Sequence, residues 1–159
     1  GLIYRLEKIE KPELPLGARA DSTYFKVYFC DVGLLRKKAN IYFKTILEGA
    51  ESFIQFKGAF AENYALCEMR SMELPAWFWK SGNSAEVDFI TEYEGKMFPI
   101  EIKAADNTQA KSFHQFVMRF SPEAGFKCSM KNVGDNQDGK TTVYSLPLYA
   151  FFRLREYME

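Results

Sequence analysis

Two runs of strand-forming residues, Ala85–Tyr93 and Lys96–Lys103, are separated only by Glu94-Gly95. A two-residue loop closing on glycine reads as a tight antiparallel hairpin, because turns of that kind match the twist of paired strands. The loop also sets a register. If Tyr93 faces Lys96, partner numbers sum to 189, which puts Asp88 opposite Glu101 and Glu86 opposite Lys103. Side chains alternate along a strand, so Glu101 and Lys103 share a face. The Asp88 and Glu101 Cβ atoms are then expected about 5 Å apart, a like-charge pair that costs stability unless something neutralises it. A divalent cation is one remedy, since Mg²⁺ and Mn²⁺ favour carboxylate oxygens and water. The bland alternative is a solvated hairpin with cross-strand ion pairs, Glu86 to Lys103 among them. Pro99, inside the second run, requires an edge, a bulge or an outward-facing nitrogen.

The segments around the hairpin complete a mixed pattern. Ala59–Arg70 has helix-favouring composition, and Pro75 ends it. Within it Glu62 has Ala65 and Leu66 at i+3 and i+4, so it tends inward, where a carboxylate is costly unless paired or metal-bound; a plain helix-surface residue is the alternative. Ala76–Lys80 reads as a strand and Ser81-Gly82-Asn83-Ser84 as a turn. Gln109–Phe120 reads as a helix with Phe113, Phe116, Val117 and Phe120 on one stripe. Gly125–Met130 and Thr142–Leu146 read as strands separated by a polar loop holding Gly134 and Gly139, and Tyr149–Tyr157 as a terminal helix. Upstream, extended pieces are expected at Ile3–Leu6 and Phe25–Phe29, with a loop at Pro12 and Pro15. Asp31 is expected to cap a helix of about three turns through Lys38, with a short helix at Ile41–Leu47. The order from Gly58 is helix, three strands, helix and further strands, a mixed α/β layer fold.

Composition narrows the chemistry. The 159 residues suit one domain, or one domain with an appended piece. Twenty-one basic side chains against 21 acidic ones provide no basic field for generic tight nucleic-acid binding. Cys30, Cys67 and Cys128 are odd in number and scattered, which suits a reduced cytoplasmic protein and small buried thiols rather than a disulfide framework or a zinc site. No apolar run is long enough for a membrane span, and no signal peptide opens the chain. The opening Gly1-Leu2-Ile3-Tyr4, without an initiator Met, reads like the interior of something longer. His114 is the sole histidine, so no histidine cluster or relay is available. Serine-hydrolase chemistry has no Gly-x-Ser-x-Gly elbow to support it. Trp77, Phe78 and Trp79 are expected to pack in a strand rather than stack on bases. Lys111 and Gln115 are expected on a solvated helix face.

Asp88 followed thirteen positions later by Glu101-Ile102-Lys103, and preceded by a helix holding Glu62, resembles the PD-(D/E)xK nuclease pattern. Several stretches together resemble the DUF4143 domain, found behind an AAA-type ATPase module. They are Pro15-Leu16, Phe25-Lys26-Val27-Tyr28-Phe29-Cys30-Asp31-Val32-Gly33-Leu34-Leu35 and Lys57-Gly58-Ala59-Phe60-Ala61-Glu62-Asn63-Tyr64, then Trp79-Lys80-Ser81, Ala85-Glu86-Val87-Asp88-Phe89, Pro99-Ile100-Glu101-Ile102-Lys103-Ala104 and Pro147-Leu148-Tyr149-Ala150. The resemblance implies a restriction-endonuclease-like core over residues 58–159, comprising helix, antiparallel hairpin strands, helix and further strands, behind a mixed N-terminal connector over residues 1–57. It implies metal-dependent phosphodiester hydrolysis of nucleic acid. Asp88 and Glu101 would bind Mg²⁺ or Mn²⁺, Glu62 would be an outer or third ligand, and Lys103 would act on the phosphate and the attacking water. An inactive scaffold serving as an interaction platform is the competing expectation. The implied partners are nucleic acid and an ATPase module in the same full-length protein. Two departures stand out. Val87 replaces the usual proline before Asp88, and no Gly-x-x-x-x-Gly-Lys-Ser/Thr loop is present, so ATP binding by this chain is not expected.

Overall fold

A computed structural model describes residues 1–47, 51–82, 85–104 and 110–159, excepting the side chains of 51, 52, 54 and 55. The strands are β1 (Ile3–Ile9), β2 (Ala20–Phe29), β3 (Trp77–Ser81), β4 (Ala85–Tyr93), β5 (Lys96–Ile102), β6 (Ala124–Ser129), β7 (Gly134–Asp138) and β8 (Thr141–Pro147). Among the described residues they form one sheet in the order β2-β1-β3-β4-β5-β6-β8-β7. Four of the seven neighbouring pairs are antiparallel, so the sheet is mixed. The α-helices are α1 (Val32–Lys38), α2 (Phe43–Leu47), α3 (Glu51–Ser71) and α4 (Lys111–Phe120), and a 3-10 helix spans Leu148–Tyr157.

The core is divided by the sheet. Phe78 and Trp79 are adjacent in β3 and fully buried, yet they enter different apolar clusters, as alternation along a strand requires. Phe78 packs with Leu66 and Met69 of α3 and with Phe151 and Leu154 of the terminal helix. Trp79 packs with Phe113, Phe116 and Val117 of α4, its ring edge-on to Phe116 at 5.2 Å. Helices thus cover both faces of a mixed sheet, and the element order expected from Gly58 onward is the order observed.

Local signals placed most elements to within a residue or two. Asp31 accepts a hydrogen bond from the Leu34 amide at 3.1 Å and caps α1, although that helix has 7 residues, about two turns rather than three. Glu94 and Gly95 both take positive φ, 49° and 72°, as a two-residue hairpin turn requires. Two expectations are corrected. The polar stretch after Gly134 is not a loop but strand β7, paired antiparallel to β8 from Gly134↔Ser145 to Asp138↔Thr141. Gly, Asp and Asn are poor strand formers, so its extended form comes from tertiary pairing at a solvated sheet edge. Of the three cysteines only Cys128 is buried, while Cys30 and Cys67 are partly exposed.

The N-terminal strands belong to the same sheet: β1 runs parallel to β3 through Lys8↔Phe78 and Ile9↔Trp79. Helix α3 begins at Glu51, eight residues before the expected start at Ala59. The turn residues Asn83 and Ser84, and residues 105–109 ahead of α4, lie outside the described set.

Candidate functional site

The hairpin keeps the expected register from Tyr93↔Lys96 to Phe89↔Ile100, and Pro99 lies inside it opposite Ile90 without a shift. Hydrogen-bonded and non-hydrogen-bonded pairs alternate outward from a two-residue turn, so Ile90↔Pro99 is a pair that needs no amide from the proline. On the other side of β5, pairing with β6 starts only at Ile100↔Phe126. The ring therefore removes no ladder bond.

Beyond Phe89↔Ile100 the two strands take different neighbours. Strand β4 continues paired to β3 through Val87, Glu86 and Ala85, and β5 continues paired to β6 through Glu101 and Ile102. A bulge accompanies this fork. Trp77 pairs with Ile90 but Trp79 with Val87, so Asp88 and Phe89 together oppose the single residue Phe78. A bulge of this kind re-aims the side chains it carries. The Asp88 carboxylate accepts from the Ile102 amide at 2.7 Å, taking the place of a main-chain partner across the fork. Asp88 and Glu101 are therefore not ladder partners, which corrects the simple continuation of the register. They are still electrostatic neighbours, because the Glu101 charge disfavours ionisation of Asp88.

Four candidate residues meet here. Glu101 is 4% exposed; its Oε1 pairs with Lys103 Nζ at 2.6 Å, and its Oε2 is buried without a hydrogen-bond partner. Glu62 approaches from α3, its Oε2 accepting from the Tyr28 hydroxyl at 2.9 Å. Desolvation, then the charges of Glu101 and Glu62, push the Asp88 carboxyl well above the usual range. Burial also raises Glu101, with Lys103 and then the nearby Asp88 main-chain amide opposing it. For Lys103, burial works against the charge, but the Glu101 hydrogen bond and the three carboxylates outweigh it, and the ammonium is held more firmly than usual. Glu86 does not reach Lys103; it pairs with Lys26 at 2.5 Å and Lys80 at 3.5 Å.

Among the described residues no three His, Cys, Asp or Glu side chains are drawn into a ready metal shell. The donor set nonetheless fits a hard divalent cation. It offers carboxylate oxygens, one of them a buried acceptor with no hydrogen-bond donor, in a cluster whose mutual repulsion a cation would relieve.

Residue reasoning missed the other members of the site. Tyr28 and Lys26 come from β2, and the Lys26 charge favours ionised Asp88. Asn63, 1% exposed, clasps the β2 backbone, accepting from the Phe29 amide at 2.8 Å and donating to the Phe29 carbonyl at 2.9 Å. The alternation Lys26-Val27-Tyr28 was the available signal, since it puts two polar-tipped side chains on one strand face. His114 lies away from the site, exposed and bonded to Asp138 at 2.7 Å. Lys111 and Gln115 are exposed on α4.

Residues 57–149, more than half of the chain, match the family described as Domain of unknown function (DUF4143). No curated protein and no solved structure matches the chain.

Proposed function

The chain belongs to the DUF4143 family, and from that premise we propose that it holds a restriction-endonuclease-like core of the PD-(D/E)xK kind, hydrolysing phosphodiester bonds in nucleic acid with Mg²⁺ or Mn²⁺. The observation that carries this reading is the Glu101 carboxylate, with one oxygen on Lys103 and the other buried and unpartnered beside Asp88. An acidic pair of this kind is costly in an apolar fork and suits a cation. Asp88 and Glu101 would hold the ion, with Glu62 as an outer or third ligand. Bound there, a divalent cation supplies Lewis-acid stabilisation of phosphoryl charge and a more acidic water. Lys103 provides the fixed positive charge. Its ammonium donates to the phosphate oxygen on which charge grows and orients the attacking water. An ATPase module in the same full-length protein is the proposed partner.

A second reading, an inactive scaffold that docks nucleic acid or protein, is favoured by the Lys103–Glu101 pair, which already neutralises one carboxylate, and by the absence of net charge. Calorimetric titration with Mn²⁺ separates the two. Hydrolysis predicts binding that Asp88→Asn abolishes, together with cation-dependent cleavage of DNA or RNA. Identical heats from wild type and Asp88→Asn, with no cleavage of single- or double-stranded substrates, would leave only the scaffold.

A further inference from the structure

The proposed cation site receives a residue from outside the segment that matches the family. The match starts at residue 57, whereas Tyr28 sits on β2, in the stretch expected to be a connector. We infer that Tyr28 is a positioning residue for this site, holding Glu62 in the orientation that a divalent cation requires; the inference rests on the reading of the site given above.

Three observations carry it. The Tyr28 hydroxyl donates to Oε2 of Glu62 at 2.9 Å, which leaves the other oxygen of that carboxylate for a second partner. The ring is 7% exposed and packed 6.0 Å from Phe89, so the hydroxyl is delivered from a fixed platform. The contact is also locked in register. Tyr28-Phe29 on β2 meets Glu62-Asn63 on α3, and Asn63 holds both main-chain groups of Phe29. A carboxylate on a helix surface otherwise samples several rotamers, and fixing one of them lowers the cost of recruiting it to an ion.

The test is Mn²⁺ affinity of the full chain by calorimetry, with Tyr28→Phe, Glu62→Gln, the double variant and Asp88→Asn compared with wild type, and circular dichroism and thermal melts run alongside. Tyr28→Phe is expected to weaken binding on the order of 10- to 100-fold, the range for loss of an outer partner of a ligand. Glu62→Gln should weaken it at least as much, and the double variant no further than Glu62→Gln alone. That coupling is a signature general packing damage does not produce. Equal losses from Tyr28→Phe in the wild-type and Glu62→Gln backgrounds would overturn the inference. So would unchanged affinity in Tyr28→Phe while Asp88→Asn loses binding, an outcome that spares the cation site itself. Absence of Mn²⁺ binding by wild type would overturn both.

Discussion

At the scale of single residues the molecule tolerates an unfavourable arrangement. Asp88 is ionised reluctantly, because its desolvated carboxyl faces the charges of Glu101 and Glu62. Its folded pKa, up to about 8 from 3.8, lies above the unfolded value, so the folded state binds the extra proton between those limits. The stability associated with that proton is fully present below pH 3.8 and is lost as pH rises through about 8. In the absence of divalent cations the melting temperature should therefore fall as pH increases across that window, and Mn²⁺ should reverse the fall at the alkaline end. Asp88→Asn retains an oxygen for the Ile102 amide but removes the charge. Its melting temperature at pH 8 should rise by about 2–4 °C, on the order of 1 kcal/mol for a chain of this size, with a flatter pH profile. A lower melting temperature at every pH would show that the carboxylate stabilises the fold. Lys103→Met probes chemistry rather than stability. Removing the donor should reduce cleavage on the order of 10²- to 10³-fold while Mn²⁺ still binds.

At the scale of elements, the junction between α3 and β2 decides where Glu62 stands. Asn63 replaces the missing neighbour of an edge strand, giving Phe29 both an acceptor and a donor. Asn63→Leu keeps the volume and strands those two main-chain groups, so urea unfolding should show a loss of about 2–4 kcal/mol. The hairpin turn provides a smaller perturbation. Gly95 has φ of 72° and nothing near its missing Cβ, so the cost of Gly95→Val is backbone strain alone, about 1–2 kcal/mol by the same measurement. A loss limited to Asn63→Leu would locate the cooperative unit at the helix junction and outside the turn.

At the scale of the whole molecule, the sheet makes residues 1–29 integral. Leu6 and Tyr28 are part of the cluster that α3 completes, and β1 supplies the parallel neighbour of β3. A fragment beginning at residue 57 would expose that face and one edge of β3. Its proton NMR spectrum is expected to be poorly dispersed, against a well-dispersed spectrum for the full chain. A folded fragment would mean that the remaining strands suffice as a core.

Much of this was legible in the order of the residues, and the reason is range. The Glu94-Gly95 turn, the Asp31 cap, the Phe113-Phe116-Val117 stripe and the alternation that pairs Glu101 with Lys103 all depend on partners a few positions away, where dihedral preference and side-chain period act directly. Three features came only with tertiary structure. Polar β7 is extended because β8 pairs with it, Asp88 leaves its expected partner because β3 and β6 draw β4 and β5 apart into a fork, and Tyr28 reaches Glu62 across 34 positions. Each is settled by contacts between segments remote along the chain, whose energies no local pattern encodes. The identities of the acids were written in the sequence; how they meet was decided by the sheet.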